Sequence, residues 1–420
     1  MLSDLRAVIS TSYQDLDEDT ARFFRRLSLH PGPEFSPGAA AALTGTPLDR
    51  ARKLLEQLTR AHLVERPHAG RYRLHDLVRL YAVERVRAED PVEHAHRAVG
   101  DVARWYVHAA ARAQLAEQPN FPVVPGGERP EELPGVESAD QARVWFEAER
   151  ANLVAATESA LEHGHHDLAW RLPATVYPLF ELHRHWHEWR DLHTLGLRAA
   201  AQTGDPFGAA RNHLGMGDAR WLLGELDEAV RHYRAALQAN EGVADAWIEG
   251  FALRQLGEVS WQRGEHEAAR EFVERAVGVF RDAGERRGEA MGLLSLAESG
   301  ADSGHWRQAL ERCREAVAVF EAIGEVWSVA WAGCTLGRVL TGSGRAAEAV
   351  EEYRAAARVF EEHGDADSRA VALLGLGHAH VELGEVERAR QAWGAALDYF
   401  TDHGDPRAAR TEERLRGLKA

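Results

Sequence analysis

Three places in the sequence put chemically capable side chains at workable spacings. The first is Leu74-His75-Asp76, inside "GRYRLHDLVRLYAVERV" (residues 70–86), where a short strand-like run centred on Tyr72 gives way to a helical one. An imidazole beside a carboxylate can move a proton, contact a phosphate or cap a helix. With no catalytic partner in view, we read His75 as the end of a strand and Asp76 as the N-cap of the next helix. The second is "HRHWHEWRDLH", which gathers His183, His185, His187 and His193. His183 and His187 stand at i, i+4, a spacing that can share a metal ion. No HExxH motif and no cysteine completes a site, so the stretch reads as a solvated, aromatic-rich helix face with no metal. The third is the cysteine pair, Cys313 and Cys334, with no base nearby to make either a nucleophile. Adjacent glutamates at 351–352 and 361–362 read as helix exterior. No Ser-His-Asp or Cys-His set is supported by spacing, and the chain reads as a binding protein rather than an enzyme.

The elements that position these residues follow a fixed ruler. Gly224, Gly264, Gly304, Gly344 and Gly384 stand 40 residues apart, and so do Ala229, Ala269, Ala309, Ala349, Ala389 and Ala236, Ala276, Ala316, Ala356, Ala396. A third column is small throughout: Gly217, Gly257, Ala297, Gly337 and Gly377. A second turn is marked by Gly284, Gly324, Gly364 and Gly404, with Gly204 in phase. Between the glycines the pattern is helical, since "LDEAVRHYRAALQ" puts Leu226, Ala229, Val230, Tyr233, Ala236 and Leu237 on one face. Each unit is a helical hairpin that cannot bury its apolar face alone, so the units must stack into an α-solenoid. The small columns resemble the tetratricopeptide repeat in a 40-residue form, with five repeats over about residues 207–403. Residues 91–203 have the same texture without the glycine ruler and read as helical linker and capping hairpins, interrupted by a Pro/Gly-rich loop at 116–140. The third segment, 204–420, then holds the five repeats and a C-terminal capping helix.

Residues 1–90 read differently. Asp17 can cap the run carrying Phe23, Phe24 and Leu27, Ser36-Pro37 opens a short helix, and Thr46-Pro47 opens a longer one. Then "LVERPHAGRYRLHD" alternates on either side of a glycine turn, as a two-stranded hairpin does. Helix, helix, helix, hairpin, helix is the order of a winged helix-turn-helix. The expected fold is therefore all-α: an N-terminal winged helix-turn-helix with a small β-hairpin, then an α-solenoid. The third helix offers Arg50, Arg52, Lys53 and Arg60 against Asp49 and Glu56, a balance that disfavours DNA and fits a packing module.

Composition agrees. The 420 residues are 45% hydrophobic and carry a net charge of −16, with residues 91–420 holding −17. That balance excludes a generally nucleic-acid-binding or anionic-membrane-binding surface. Two cysteines fit a reducing compartment, no apolar stretch is long enough to span a bilayer, and we expect a cytoplasmic protein.

Taken together, "LRAVISTSYQDLDEDTARFFRRLSLHPGPEFS", "LTRAHLVE", "GRYRLHDLVRLYAVERV", "FEAERANLVAA" and the 40-residue repeats resemble the C-terminal part of bacterial STAND-type transcriptional regulators. The resemblance is to actinomycete antibiotic regulatory proteins in which an NB-ARC nucleotide switch precedes tetratricopeptide repeats. It implies that His75, in the place of a Met-His-Asp-like motif, faces the β-phosphate of ADP held by an NB-ARC domain, with Asp76 fixing the local geometry. It also implies that the first helix of each hairpin lines a concave groove. Carried onto this sequence, the groove positions are Arg211, Asp218, Trp221, Arg254, Glu258, Trp261, Glu298, Trp331, Arg338 and His378. Trp221, Trp261, Arg254 and Arg338 are expected to be solvent-accessible anchors for a bound segment.

The departure from the family is as informative. A P-loop ends in Gly-Lys-Ser/Thr, and the only lysines, Lys53 and Lys419, stand in no such turn. No cofactor is expected in this chain, and ADP or ATP only in a longer parent from which we expect the chain to be cut. The expected function is the sensor and regulatory arm of a nucleotide-switched transcription regulator, its repeats binding a protein, a peptide or the parent's own NB-ARC and effector domains. The alternatives are a free-standing repeat scaffold and a winged-helix DNA-binding regulator with its own repeat sensor.

Overall fold

The computed structural model describes residues 2–183 and 185–418, and the side chains of residues 6–180 and 185–418. It divides into two compact units, residues 1–243 and 244–420. The first unit begins with helices α1 (Leu2–Gln14), α2 (Glu18–Leu27), α3 (Pro37–Thr44) and α4 (Leu48–Arg60), strands β1 (Glu65–His68) and β2 (Arg71–Arg73), and α5 (Asp76–Glu89). The sequence signals act as expected at two starts: the Asp17 carboxylate accepts from the Thr20 N–H and Ser36 Oγ from the Ala39 N–H. Strands β1 and β2 pair antiparallel around Gly70, which takes φ +73°, and Phe35 bridges to Tyr72. Phe24, Leu27, Phe35, Leu55 and Leu58 are fully buried and form the core that orders the winged helix.

Two starts differ from expectation. The N-cap of α4 is Pro47 rather than Thr46, with no side-chain cap hydrogen bond, and the helix begins at Leu48. The N-cap of α5 is His75, whose Nδ1 accepts from the Leu77 N–H at 3.4 Å, and Asp76 is the first helical residue. Asp76 still favours this end, because a carboxylate in the first turn meets the positive end of the helix dipole.

Three helical hairpins complete the first unit: α6 (Val92–Glu117) with α7 (Ala139–Glu162), α8 (His166–His183) with α9 (Trp186–Thr203), and α10 (Pro206–Leu222) with α11 (Leu226–Asn240). Their first helices α6, α8 and α10 pack side by side as an inner layer. The second unit repeats the scheme with α12 (Ala246–Gln262), α13 (His266–Ala283), α14 (Arg286–Asp302), α15 (Trp306–Ala322), α16 (Val326–Gly342), α17 (Ala346–Glu362), α18 (Ala366–Glu382) and α19 (Val386–Asp402), closed by α20 (Arg407–Gly417). Here α12, α14, α16 and α18 form the inner layer.

The 40-residue columns have direct physical roles. The turn glycines, Gly224 to Gly384, all take φ between +73° and +80°, the left-handed region that stops a helix and starts its return. The small column is where the two helices of a hairpin touch: a Cβ on Gly257 would lie 2.4 Å from Val273, and one on Gly377 2.2 Å from Trp393. Where the inner helix carries a methyl instead, at Ala297, the equivalent partner position holds the smaller Cys313. Ala316 and the rest of its column are buried.

Candidate functional site

The winged helix exposes His75 and Asp76 at the start of α5. Arg79, one turn on, is turned away from them, donating to the main-chain oxygens of His30 (2.9 Å) and Gly32 (2.8 Å). Arg73 is taken by Glu65 at 2.6 Å. Lys53 is exposed on α4. Among the described residues at this end, the exposed groups at the helix start are therefore the His75 imidazole and the Asp76 carboxylate, which do not by themselves make the cradle of backbone N–H groups and cations that phosphates require. The basic residues of α4 are partly neutralised, Arg52 by Asp49 at 3.1 Å and Arg60 by Glu56 at 3.8 Å.

In the inner layer of residues 1–243, the groove positions turn out packed. Arg211 is 5% exposed and Asp218 2%. Arg211 donates to the Ala174 oxygen at 3.4 Å and lies over the Phe121 ring. The Asp218 carboxylate accepts from the hydroxyls of Tyr177 and Tyr233, one on each oxygen. Trp221 is half-buried.

In residues 244–420 a different arrangement appears. Glu258 on α12 accepts from the Ser295 hydroxyl of α14 at 2.5 Å, and Glu298 on α14 accepts from the Thr335 hydroxyl of α16 at 3.0 Å. The same geometry recurs one repeat later, because carboxylate and hydroxyl are 37 residues apart in both cases. Arg338 continues the column, 2.8 Å from Asp302 and 3.9 Å from Glu298. Its side chain is 44% exposed and that of Glu298 39%. Although the side chain keeps that exposure, the flanking inner helices withdraw the Glu298 carboxylate partly from water, and this desolvation raises its pKa against the opposing pull of Arg338 and Thr335, while Glu258 and Asp302 raise it further. The result is a ladder of fixed acceptors with one exposed guanidinium at its end.

The remaining positions separate by packing. Arg254 corrects the expectation of an accessible anchor: it is 8% exposed, its guanidinium 3.5 Å from Ser295 Oγ, 3.9 Å from Glu258 and over the Phe251 ring. The residue faces the next inner helix, where Ser295 is short enough to admit it. Trp261 is half-buried against the His266 ring, and Trp331 is half-buried between Trp327 and Phe320. His378 packs edge-on to Trp393, and burial with Arg414 nearby lowers its pKa to about 4.

Sequence comparison gives this arrangement a context. The MalT winged helix domain model matches residues 10–94, and tetratricopeptide repeat models match residues 208–282 and 334–398. Regulatory protein AfsR of Streptomyces griseus is 31% identical over 262 residues, 60% of this chain. AfsR of Streptomyces coelicolor is 29% identical over 255 residues, 58% of the chain. Over these stretches the chain is similar in sequence to the AfsR regulatory proteins. Each match spans 26% of the AfsR relative's own length. Among solved structures, a Rap protein complexed with competence and sporulation factor shares the fold at 17% identity and TM-score 0.50, over 73% of this chain and 77% of that one.

The other candidate chemistry of the chain resolves into packing. His185 is 2.9 Å from Glu147 and His187 is exposed. His193 is fully buried, its Nδ1 3.0 Å from Asn212 Oδ1, and His183 lies outside the described side chains. The helix face read as solvated thus turns Trp189 and His193 into the core, because this stretch is the outer helix of a hairpin packed on α8 and α10. Cys313 is buried and Cys334 half-buried, and burial pushes both thiols up to about 12, out of the range of nucleophiles. Among the described residues no group of three or more potential metal ligands is clustered, and no helix is long and apolar enough to cross a membrane. The residues that sequence reasoning missed are the hydroxyls, Ser295 and Thr335, and the aromatic Phe121. The hydroxyl pair was visible as a polar column, Ser295 and Thr335 standing 40 residues apart, each three residues before a charged position of its own helix, Glu298 and Arg338.

Proposed function

We propose that this chain is the sensor and regulatory arm of a nucleotide-switched, AfsR-like transcription regulator, and that its repeats bind a protein or peptide signal along the inner helices. The observation that carries the reading is the ladder Glu258–Ser295, Glu298–Thr335, Arg338–Asp302. A purely structural repeat interface has no need of half-exposed carboxylates held in one orientation by neighbouring hydroxyls. Preorganised acceptors flanked by an exposed guanidinium suit a segment carrying both donors and a carboxylate. The Rap neighbour, complexed with competence and sporulation factor, supports the same use of the fold by analogy.

The exposed His75–Asp76 end of the winged helix is then the docking point for a nucleotide module, which supplies the phosphate cradle itself. Signal binding acts by favouring one of two docked arrangements, which requires different affinity for each. The test is a pull-down from the intact regulator's host, comparing wild type with a Glu298→Gln, Arg338→Ala double variant, alongside binding of a His75→Ala variant to a purified NB-ARC module. Loss of the signal partner with the first and weakened module binding with the second are expected. A folded double variant that keeps every partner overturns the groove.

A further inference from the structure

The connection between α6 and α7 is far longer than its task. Antiparallel helices are joined by about 2–8 residues, yet α6 ends at Glu117 and α7 begins at Ala139. The intervening segment has no helix or strand, and it runs back along α6 to reach Trp105, ~18 Å from the helix end at 1.5 Å per residue. It is nonetheless buried at intervals: Phe121 is 3% exposed, Val124 1% and Val136 6%.

The way it is held matters more than its length. Pro119, Pro122, Pro125, Pro130 and Pro134 remove backbone donors from the segment, and inner-layer side chains donate to its carbonyls. Gln114 Nε2 donates to the Phe121 oxygen at 3.2 Å, Trp105 Nε1 to the Glu132 oxygen at 3.0 Å and Arg112 Nε to the Val136 oxygen at 3.0 Å. Arg171 of α8 donates to the Pro125 oxygen. The Phe121 ring sits 5.7 Å from that of Tyr177, with the Arg211 guanidinium over it. Side-chain donors reading main-chain carbonyls, with one aromatic slot, is how proteins bind extended proline-rich segments.

We propose that the inner face of α6, α8 and α10 is a binding surface for extended, proline-rich segments anchored by an aromatic residue, and that residues 118–137 occupy it in cis. Arg211, placed in the groove by sequence, is covered by Phe121 for this reason. The inference rests on the reading of the inner helices as a segment-binding face. Its test is separable from that reading because the probe is the chain's own peptide.

A full-length variant with residues 119–136 replaced by a short Gly-Ser linker is titrated with a labelled synthetic peptide of residues 118–137. Saturable binding is expected, at least ten-fold weaker for the peptide carrying Phe121→Ala, and none to the wild-type chain. A folded linker variant that ignores the peptide, or does not distinguish the alanine peptide, overturns the proposal. If the linker variant does not fold, an Arg171→Ala, Arg211→Ala double variant decides by hydrogen exchange. Faster exchange confined to residues 118–137 supports the proposal, and unchanged exchange there overturns it.

Discussion

Thr335 Oγ1 donates to Glu298 Oε1 at 3.0 Å, from one inner helix to the next. Partial desolvation between the inner helices raises the Glu298 pKa above the ordinary glutamate value, so the folded state holds this proton better than the unfolded chain. The associated stability is fully present below the ordinary value and is lost as pH rises through the folded one. In melts at pH 4.5, 6 and 7.5, Glu298→Gln should therefore gain on wild type as pH increases. Thr335→Val, which removes a donor to the carboxylate, should widen wild type's loss. A pH-independent difference between Glu298→Gln and wild type contradicts the assignment.

Buried histidines give the opposite sign. His193, beside Asn212, and His30, 3.0 Å from the Tyr106 hydroxyl, are both fully enclosed, and burial lowers each pKa to about 3. Folding holds them neutral, so stability is present above the unfolded value of ~6.5 and is lost as pH falls toward the folded one. Each contributes a loss of about 2 kcal/mol between pH 6.5 and 5. The urea midpoint of wild type should fall over that range, and His193→Gln should lose less by about that amount.

Much of this fold was legible because its periodicity is repeated. The glycine columns gave the turns and the small column gave the hairpin contact, confirmed where Gly377 lies against Trp393. The less legible features hang on single residues or on tertiary docking. Whether His75 or Asp76 caps α5 is a matter of one position, and both residue types accept from a backbone N–H. Arg254 and Glu258 stand one turn apart on the same helix, yet Arg254 is buried at the next inner helix while Glu258 stays half-exposed. The helical period fixes their common face without fixing where the neighbouring helix lies across it. Phe121 sits in a stretch of Pro, Gly and Glu with no period at all, so composition marked a loop and gave no sign of its docking.

The chain should not bind nucleotide tightly by itself. Holding the β- and γ-phosphates takes a glycine-rich backbone cradle and its lysine, and Lys53 lies exposed on a regular helix, α4. Calorimetric titration with ATP and ADP is expected to give no saturable heat. Binding at micromolar nucleotide would show a phosphate site outside the P-loop pattern.

Ala244 occupies the place in the second turn where the other repeats have Gly204, Gly284, Gly324, Gly364 and Gly404, and it adopts the same left-handed backbone, φ +58°. In that region the alanine Cβ crowds the following carbonyl, at a cost of roughly 1–2 kcal/mol that glycine does not bear. Glycine's greater freedom in the unfolded chain offsets part of the gain, by ~0.4–1 kcal/mol. The next residue, Asp245, accepts from the Ile248 N–H at 2.9 Å and caps α12, so the turn geometry is held in place from its far side. Ala244→Gly should therefore stabilise the chain by about 0.5–1 kcal/mol, read as a higher urea midpoint with an unchanged slope. Ala244→Val, whose branched Cβ tolerates positive φ worse, should shift the midpoint the other way. If the glycine variant is destabilised, the left-handed backbone assigned to Ala244 is wrong.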